Sequence, residues 1–390
     1  MMKRILAFAL LALVLAGAAG ASAEARIMVR AGGSFGYAVM QDGSVWSWGD
    51  GERGQLGSGK LKTIFLNVEG AVGLDGNHIV DIQCGNVAAL FLMDDGTVYS
   101  CGYNDYGQQG FPGAGEIVSK PTLIPALERI TQVACGFGQC LALDEDGHVW
   151  AWGRNSNGQV GNGKTKNVRQ PIMLALEDIV SVQCGGEFCL ALQADGTVWG
   201  WGDNEYYQLT DVSRKQDVPT PTKLNLPMTF VQIGCGGDCS FGIDENGVLW
   251  GWGRNDYHQL GTEEGGSLTK TPVRAALPEG ARVARIIAYN SHVAALTDEG
   301  ALWMWGSGSH GQLGNGAAHG SDLPYNAFPG QVVLDADVGS LHSSALLADG
   351  TIWSCGSNAY GQLGVMKKVD YVVVDWKKSN LNLIECTRGN

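Results

Sequence analysis

The sequence predicts an all-β fold, a seven-bladed β-propeller with four strands in each blade. The first observation is a seven-residue phrase that recurs about every fifty residues, a period typical of repeat architectures. The second is a turn dipeptide, mostly Asp-Gly, at the start of each phrase, and the third is a content of 58 glycines, which suits a chain that turns often. The copies of this repeat phrase are GSVWSWG at Gly43, GTVYSCG at Gly96, GHVWAWG at Gly147, GTVWGWG at Gly196, GVLWGWG at Gly247, GALWMWG at Gly300 and GTIWSCG at Gly350.

The first three strands of a repeat are visible around the third phrase. A β-rich run at residues 133–136 is followed by an apolar run at 140–143, an Asp146-Gly147 turn and an alternating run at 149–152. Short runs joined by Asp-Gly indicate a hairpin, because this turn needs residues that tolerate positive φ.

A fourth strand is expected outside the hairpin. Each phrase is followed by a loop rich in glycine and asparagine, such as residues 153–161, and then by a segment that holds proline and aliphatic residues, such as residues 121–127. We interpret this segment as a further strand with an irregular lead-in. Seven repeats of four strands give a propeller, in which radial repetition leaves only short edges.

The two ends of the chain predict how the ring closes. The first repeat begins at Arg26 without a proline-bearing strand before it, whereas the chain continues past the seventh phrase into YVVVDW at residues 371–376. We therefore expect residues 371–376 to pair with the blade that contains residues 45–48, so that the N- and C-terminal strands join. Residues 381–386, LNLIEC, resemble the start of another repeat and have no place in this scheme.

The repeat resembles that of a known family. The pattern VxxGxxHxxALxxDGxVWxWGxNxxGQLG is similar to the repeat of the regulator of chromosome condensation (RCC1-like) family, and GQLG is present at Gly54, Gly311 and Gly361. The family histidine is kept only at His292 and His342. The resemblance covers the whole mature chain and implies a seven-bladed propeller, here of the secreted bacterial type. It says little about function, since function lies in sites carried by such scaffolds.

The N-terminal residues 1–23 are predicted to be a secretory signal peptide, and residues 24–390 the propeller. A basic start at Lys3 and Arg4 precedes an apolar run of about fifteen residues, which is short of the roughly twenty needed to cross a bilayer. Small residues then predict cleavage before Glu24. We expect the mature protein to be secreted or held in the cell envelope, in an extracellular or periplasmic location, without a membrane span.

The charge excludes nucleic acid as a favoured partner. The chain has 26 Lys and Arg against 39 Asp and Glu, a net charge of −13, and the predicted leader removes only basic residues. Nucleic-acid affinity depends on neutralising phosphates with Lys and Arg.

Ten cysteines in an exported chain raise the question of disulfides. Three pairs flank tight links between consecutive strands and are candidate bridges; buried free thiols are the alternative. Four cysteines share one repeat position in consecutive blades and suggest an inner ring. There is no CxxC pair and no histidine nearby at ligand spacing, so we expect no metal site. The candidate pairs are Cys135 with Cys140, Cys184 with Cys189, and Cys235 with Cys239; the shared position holds Cys84, Cys135, Cys184 and Cys235.

No catalytic or cofactor motif is present. The sequence has no HExxH, and its glycine pairs belong to turns without a following helix, so neither a nucleophile elbow nor a phosphate-binding loop is expected. His292 and His342 occupy a repeat slot, which favours a structural role. We expect a protein without enzymatic activity and without a cofactor.

One repeat position is a candidate binding surface. In the loop after each phrase it holds residues of types enriched in protein interfaces, and radial symmetry would place them on one circle; packing beneath the loop is the alternative. Two further bulky residues, Tyr207 and His258, replace the loop glycine. The circle comprises Arg53, Tyr106, Asn157, Tyr206, Tyr257, His310 and Tyr360.

The sequence thus predicts an exported, monomeric, non-enzymatic scaffold that binds another protein. A secreted bacterial inhibitor of β-lactamases shares the fold and supports this class. Guanine-nucleotide exchange on a small GTPase, the activity of the founding family member, is the alternative, although export would separate the two proteins. A propeller-type carbohydrate-active enzyme is a second alternative, and it would need a polar cluster that the sequence does not show.

Overall fold

The structure is a computed structural model that describes residues 27–70, 73–210, 217–264, 266–365 and 370–382. These residues form seven four-stranded antiparallel sheets, each built from consecutive strands of one contiguous stretch of chain. The predicted all-β, seven-bladed propeller with four-stranded blades is confirmed. The predicted leader at residues 1–23 and the segment 383–390 lie outside the described residues.

The first three blades occupy the N-terminal part of the ring. Between the first and second of them runs one turn of 3₁₀ helix at Gly76–His78. Their strands are β1 Met28–Ala31, β2 Phe35–Val39, β3 Val45–Gly49 and β4 Ile64–Gly70 in blade 1; β5 Ile79–Cys84, β6 Ala88–Met93, β7 Val98–Tyr103 and β8 Ile117–Leu123 in blade 2; and β9 Ile130–Cys135, β10 Gln139–Asp144, β11 Val149–Gly153 and β12 Val168–Met173 in blade 3.

The remaining four blades repeat the same order. Their strands are β13 Ile179–Cys184, β14 Phe188–Gln193, β15 Val198–Gly202 and β16 Val218–Lys223 in blade 4; β17 Gln232–Cys235, β18 Cys239–Ile243, β19 Leu249–Arg254 and β20 Leu268–Arg274 in blade 5; β21 Val283–Ala288, β22 His292–Thr297, β23 Leu302–Gly306 and β24 Ser321–Asn326 in blade 6; and β25 Val333–Val338, β26 His342–Leu347, β27 Thr351–Ser357 and β28 Val372–Asn382 in blade 7.

The repeat phrase forms the third strand of every blade. Its leading glycine closes the turn from the second strand with a positive φ, as at Gly147, where φ is +83°. An aspartate before it often accepts a hydrogen bond from the backbone two residues later, as from Ser44 to Asp42 at 2.9 Å. Asx turns of this kind explain the turn carboxylates.

The second tryptophan of the phrase joins neighbouring blades. In five blades this side chain is at most 1% exposed, and its indole N–H donates to the backbone carbonyl of the glutamine in the loop between the third and fourth strands of the preceding blade. Two blades carry cysteine instead, and the sulfurs of Cys101 and Cys355 lie 3.9 and 3.4 Å from the matching carbonyls. The indole bonds run from Trp48 to Gln362 at 2.8 Å, Trp152 to Gln108 at 2.9 Å, Trp201 to Gln159 at 2.9 Å, Trp252 to Gln208 at 2.8 Å and Trp305 to Gln259 at 2.9 Å.

The predicted closure of the ring by joined terminal strands is wrong. The strand β28, which contains residues 372–376, pairs with β27 of its own blade, with Ser357 opposite Val372 and Trp353 opposite Lys378. The error lies in the order of strands: the proline-bearing segment follows the phrase as the fourth strand and does not precede it. Blade 1 therefore has all four of its strands, because β4 is the fourth.

Side chains close the ring between the first and last blades. On β1 the guanidinium of Arg30 lies 2.7 Å from Asp335 of blade 7 and 2.8 Å from Asp81 of blade 2. The backbone N–H of Val29 donates to the same Asp335 at 3.2 Å, and that of Ala31 donates to Asp337 at 2.9 Å. Burial would raise the pKa of Asp335, but the guanidiniums of Arg30 and Arg285 hold it below its ordinary value.

The first strands of the blades surround a small axial cavity of about 70 Å³. One repeat position from all seven blades lines it, and the predicted inner ring of cysteines is part of this wall. In the next position six blades have glycine, whereas blade 6 has Tyr289, whose ring lies 5.7 Å from that of Phe137 of blade 3. The shared lining position holds Ala31, Cys84, Cys135, Cys184, Cys235, Ala288 and Val338.

The buried tryptophans should carry much of the stability. Trp201 is fully buried and hydrogen-bonded to the preceding blade, so Trp201→Ala should cost about 3 to 5 kcal/mol of the free energy of unfolding and lower the melting temperature clearly. Tyr360→Ala, at a side chain that is 45% exposed, is the control and should change stability little. An unchanged melt of the Trp201 variant would contradict this packing role.

The buried histidine of blade 7 should make the protein sensitive to acid. Burial, with a smaller effect of His292, lowers the pKa of His342 to about 3, whereas an unfolded histidine titrates near 6.5. The associated stability is complete above about pH 6.5 and is lost as the pH falls towards the folded-state pKa, because only the unfolded chain then binds the proton.

Phenylalanine is the matched replacement. Phe35 and Phe188 occupy the equivalent positions in blades 1 and 4 and pack against the same glycine position as His342. His342→Phe should therefore lose less stability than the wild type between pH 7 and pH 4, as measured by urea unfolding at several pH values. Parallel losses in the two proteins would show that this histidine is not excluded from protonation.

Candidate protein-binding face

The loops between the third and fourth strands of all blades lie on one face of the propeller. In a meander this end of the blade also carries the loop between the first and second strands. The two loops are joined by backbone hydrogen bonds, as from Asp50 to Ser34 at 2.9 Å and from Arg154 to Gly138 at 2.9 Å. This surface, formed by both sets of loops, is termed the loop face.

A buried glutamine fixes each of the candidate binding residues. In every blade the backbone N–H of the candidate donates to the side-chain oxygen of the glutamine two residues later, and the carbonyl of that glutamine faces the neighbouring blade as described above. The seven side chains thus occupy equivalent places. The bonds run from Arg53 to Gln55, Tyr106 to Gln108, Asn157 to Gln159, Tyr206 to Gln208, Tyr257 to Gln259, His310 to Gln312 and Tyr360 to Gln362, at 2.8 to 3.1 Å.

These side chains are presented to different degrees. Tyr257 is 48% exposed and Tyr360 is 45% exposed, and Arg53 is exposed as well. The remaining four are half-buried, namely Tyr106, Asn157, Tyr206 and His310. The circle is therefore a rim of partly exposed residues, and the blades differ in how much of it they present.

Two blades build a compact cationic and aromatic cluster on the loop face. The guanidinium of Arg254 lies 4.7 Å from the ring centre of Tyr206 and 5.4 Å from that of Tyr257. It also pairs with Asp238 at 2.9 Å and with Asp256 at 2.8 Å. Cation–π contacts of this kind hold a guanidinium between rings. The position of Arg254 is thus fixed from four sides.

Weaker versions of the cluster occur among blades 1 to 4. Arg154 lies 5.5 Å from the ring of Tyr106 and pairs with Glu187, while Arg53 lies 4.5 Å from the ring of Tyr103. Arg154 and Arg254 were not among the residues predicted from the sequence. Both directly follow a phrase, as WGRN, where five other blades have a different residue, and this could have identified them.

The two bulky residues that replace the loop glycine, Tyr207 and His258, differ in how far their side chains are exposed. Tyr207 has a φ of +59° and is 9% exposed, with the ammonium of Lys270 4.4 Å from its ring, so it packs beneath the loop. His258 has a φ of +56° and an exposed side chain that lies 3.6 Å from Asp322. Glycine is the usual residue at this left-handed position, and other residues there cost about 1 kcal/mol or more.

The opposite end of the axis carries three exposed apolar side chains that the sequence did not predict. Four residues before each cavity position, a bulge in the first strand of five blades turns one side chain outward. Val180 and Leu334 at these bulges are 46% and 56% exposed, and Val231 at the same position of blade 5, just before its first strand, is 54% exposed. A register shift cannot be deduced from a run such as IVSVQC, so the exposure of these side chains could not be predicted from the sequence.

Two of the three candidate cysteine pairs face each other across adjacent strands, and the third does not. The sulfurs of Cys135 and Cys140 lie 3.3 Å apart and those of Cys184 and Cys189 lie 3.5 Å apart, each pair on adjacent strands. The third pair does not face across the strands, because Cys235 lies opposite Ser240.

One group in the described part of the chain has the spacing of metal ligands, in the turn of blade 3. It consists of Asp144, Asp146 and His148, whose ligand atoms lie within 4.8 Å of one another. Asp144 accepts hydrogen bonds from the backbone of the other two and from the indole of Trp150, and Asp146 pairs with Arg129. These contacts account for the group as part of the turn. No helix among the described residues has the length and apolar character needed to cross a membrane.

Comparison with known proteins agrees with this architecture. The human E3 ubiquitin-protein ligase HERC2 is 29% identical over 325 residues, 82% of this chain and 6% of HERC2. The human probable E3 ubiquitin-protein ligase HERC4 is 36% identical, over 76% of this chain and 29% of HERC4. The ultraviolet-B receptor UVR8 of Arabidopsis thaliana is 32% identical, over 77% of this chain and 57% of UVR8. The chain spans only part of each relative, and all three are eukaryotic.

Solved structures share the fold. Human WBSCR16 superposes with a TM-score of 0.75 at 24% identity, covering 87% of this chain and 95% of that protein. Prp20p of Saccharomyces cerevisiae gives 0.78 at 22% identity, covering 92% and 88%. A family model described as the RCC1-like domain matches residues 62–387, and a model of the RCC1 repeat matches residues 29–55. The chain belongs to the RCC1-like family.

Proposed function

We propose that the protein is an exported, non-enzymatic scaffold that recognises another protein through the loop face. The observation that carries the proposal is the cluster of Arg254 with Tyr206 and Tyr257. Tyrosine and arginine are the residue types that most often dominate protein interfaces. Here they lie side by side on blades 4 and 5, with Tyr257 exposed.

The cluster is preorganised for binding. Asp238 and Asp256 hold the guanidinium of Arg254, and the glutamines of the loops hold the backbone of both tyrosines. Binding then immobilises few side chains, which lowers the entropic cost of association. Tyrosine also supplies a large contact area with few rotatable bonds.

Structural relatives agree with a protein partner. Prp20p has binding properties towards Gsp1p and histones, and yeast RCC1 has been crystallised with Kap60 bound to it. These partners are those of the yeast protein, and they support only the class of ligand. The acidic charge of the present chain argues for a partner other than nucleic acid. We propose that the chain acts as a monomer.

Export is the second part of the proposal. It is supported by the basic start, apolar run and small-residue site of residues 1–23, and it would expose the paired cysteines to an oxidising compartment. The relatives named above give no support to a bacterial source.

The export proposal predicts the N-terminus of the native protein. Material recovered from the medium or the envelope of its host should begin at Glu24, as read by N-terminal sequencing or intact mass. Replacing Leu10 and Leu13 in the apolar run with arginine should retain the chain inside the cell. Recovery of native protein that still begins at Met1 inside the cell would overturn the proposal.

The binding proposal is tested by paired variants on the two faces. The mature protein serves as bait in the medium or envelope of the host, and a captured partner is titrated by calorimetry. The double variant Tyr206→Ala, Tyr257→Ala should weaken binding by about 2 kcal/mol or more, roughly thirtyfold, and keep the fold.

The control for this experiment is Val180→Ser with Leu334→Ser, at two of the exposed apolar side chains at the other end of the axis. These changes should leave the affinity unchanged. Full affinity in the tyrosine variant together with loss in the control would move the site to the opposite face. Loss of the fold in the tyrosine variant would be detected by circular dichroism, and Arg254→Ala would then replace it as the test of the cluster.

A further inference from the structure

Two cysteine pairs on the wall of the axial cavity have the arrangement of cross-strand bridges. Cys135 on β9 lies directly opposite Cys140 on β10, and Cys184 on β13 lies directly opposite Cys189 on β14. The sulfur atoms are 3.3 and 3.5 Å apart. The two pairs occupy the same repeat position in neighbouring blades.

The backbone register places both pairs where opposed residues come closest. The N–H of Gly136 donates to the carbonyl of Gln139 at 2.9 Å, so residues 136 and 139 form the hydrogen-bonded pair that ends the hairpin. The next pair, Cys135 with Cys140, is then a non-hydrogen-bonded pair, in which the Cα atoms approach to about 4.5 Å. This separation lies within the range that a disulfide spans.

Blade 4 repeats this geometry. The N–H of Gly185 donates to the carbonyl of Phe188 at 2.8 Å, and Cys184 and Cys189 form the next pair. A sulfur–sulfur bond is about 2.05 Å long, so bond formation requires each pair to close by about 1.4 Å, which rotation of the side chains can supply.

Blade 5 also has two cysteines near this position, and it serves as a comparison for the two opposed pairs. The N–H of Gly236 donates to the carbonyl of Cys239 at 2.8 Å. Cys239 therefore occupies the position that Gln139 holds in blade 3 and Phe188 in blade 4, one residue before the cysteine that would form a bridge. Cys235 therefore faces Ser240, and Cys239 lies opposite Gly253 on the next strand. Neighbouring residues of a strand point to opposite faces, so these two thiols are directed apart.

The wall of the axial cavity gives one sulfur of each pair limited contact with solvent. Cys135 and Cys184 line the cavity and are half-buried, whereas Cys140 and Cys189 are buried behind them. Burial helps to raise the pKa of both lining thiols, with the contact to Cys140 the largest cause at Cys135. Protonated thiols exchange slowly, so the redox state set during folding should persist in the native protein.

We propose that Cys135 with Cys140 and Cys184 with Cys189 form two disulfides on the axial wall, while Cys235 and Cys239 remain thiols. In each bridge two S–H bonds break and one S–S bond forms, with the loss of two protons and two electrons. A small disulfide such as oxidised glutathione accepts the electrons and leaves as two thiols. The mixed disulfide forms first at one cysteine, and the opposed cysteine displaces glutathione.

The test is peptide mapping of the full chain after folding in a mixture of oxidised and reduced glutathione. Free thiols are blocked with N-ethylmaleimide, and the protein is digested without reduction. The chain offers a cleavage site inside each pair, because chymotrypsin cuts after Phe137 and a glutamate-specific protease cuts after Glu187. Each predicted bridge should then hold two peptides together until dithiothreitol is added.

Matched variants separate the two bridges. Cys140→Ser should abolish only the bridge of blade 3, Cys189→Ser only that of blade 4, and Cys239→Ser should change neither. Cys135→Ser and Cys184→Ser replace any variant that does not fold, and mapping of the wild type decides the question without them. Maleimide on all four bridging cysteines of the folded wild type, or a bridge between Cys235 and Cys239 in place of the predicted pairs, would overturn the proposal.

Discussion

The hydrogen bond from a buried tryptophan to the carbonyl of a glutamine in the preceding blade is the contact on which the rest of the propeller depends. It recurs in five blades, at 2.8 to 2.9 Å, and it binds sheets that share no strand. The same glutamine holds the loop backbone through its side chain, as Gln259 holds Tyr257. Packing between blades and the shape of the loop face are therefore set by one residue type. A change at the glutamine would alter stability and recognition together.

Ion pairs join the first strands of blades 6, 7, 1 and 2. Between blades 3 and 4 the first strands meet through a neutral group, where the amide of Gln132 bonds the backbone of Val182. Between the first and last blades, Arg30 and Asp335 take this role. A buried ion pair is costly to leave half-formed, because the remaining charge stays desolvated. The pair therefore specifies which two blades meet.

The sequence was sufficient for the parts of the fold that depend on local chemistry. Glycine turns and the phrase placed three strands of each blade, and the inner ring of cysteines followed from their spacing. Closure was mistaken because a strand such as β28 can pair on either side, and the repeat alone does not say where a blade starts. The circle of candidate binding residues could be located from the sequence, but Arg254 could not, because it gains its role from a contact with Tyr206 of another blade. The pair of Cys235 and Cys239 failed for a similar reason: one residue of register moves a side chain to the other face.

Closure by side chains has a mechanical consequence. Each blade is completed by its own stretch of chain, so the first and last blades can separate by losing the contact of Arg30 with Asp335, the indole bond of Trp48 and the backbone bonds of Ser340, without any sheet losing a strand. The seam between the first and last blades is then a natural point of opening, and the ring could part into an arc whose blades stay intact. The same property makes the repeat modular. A new chain terminus placed between any two blades would leave every sheet whole.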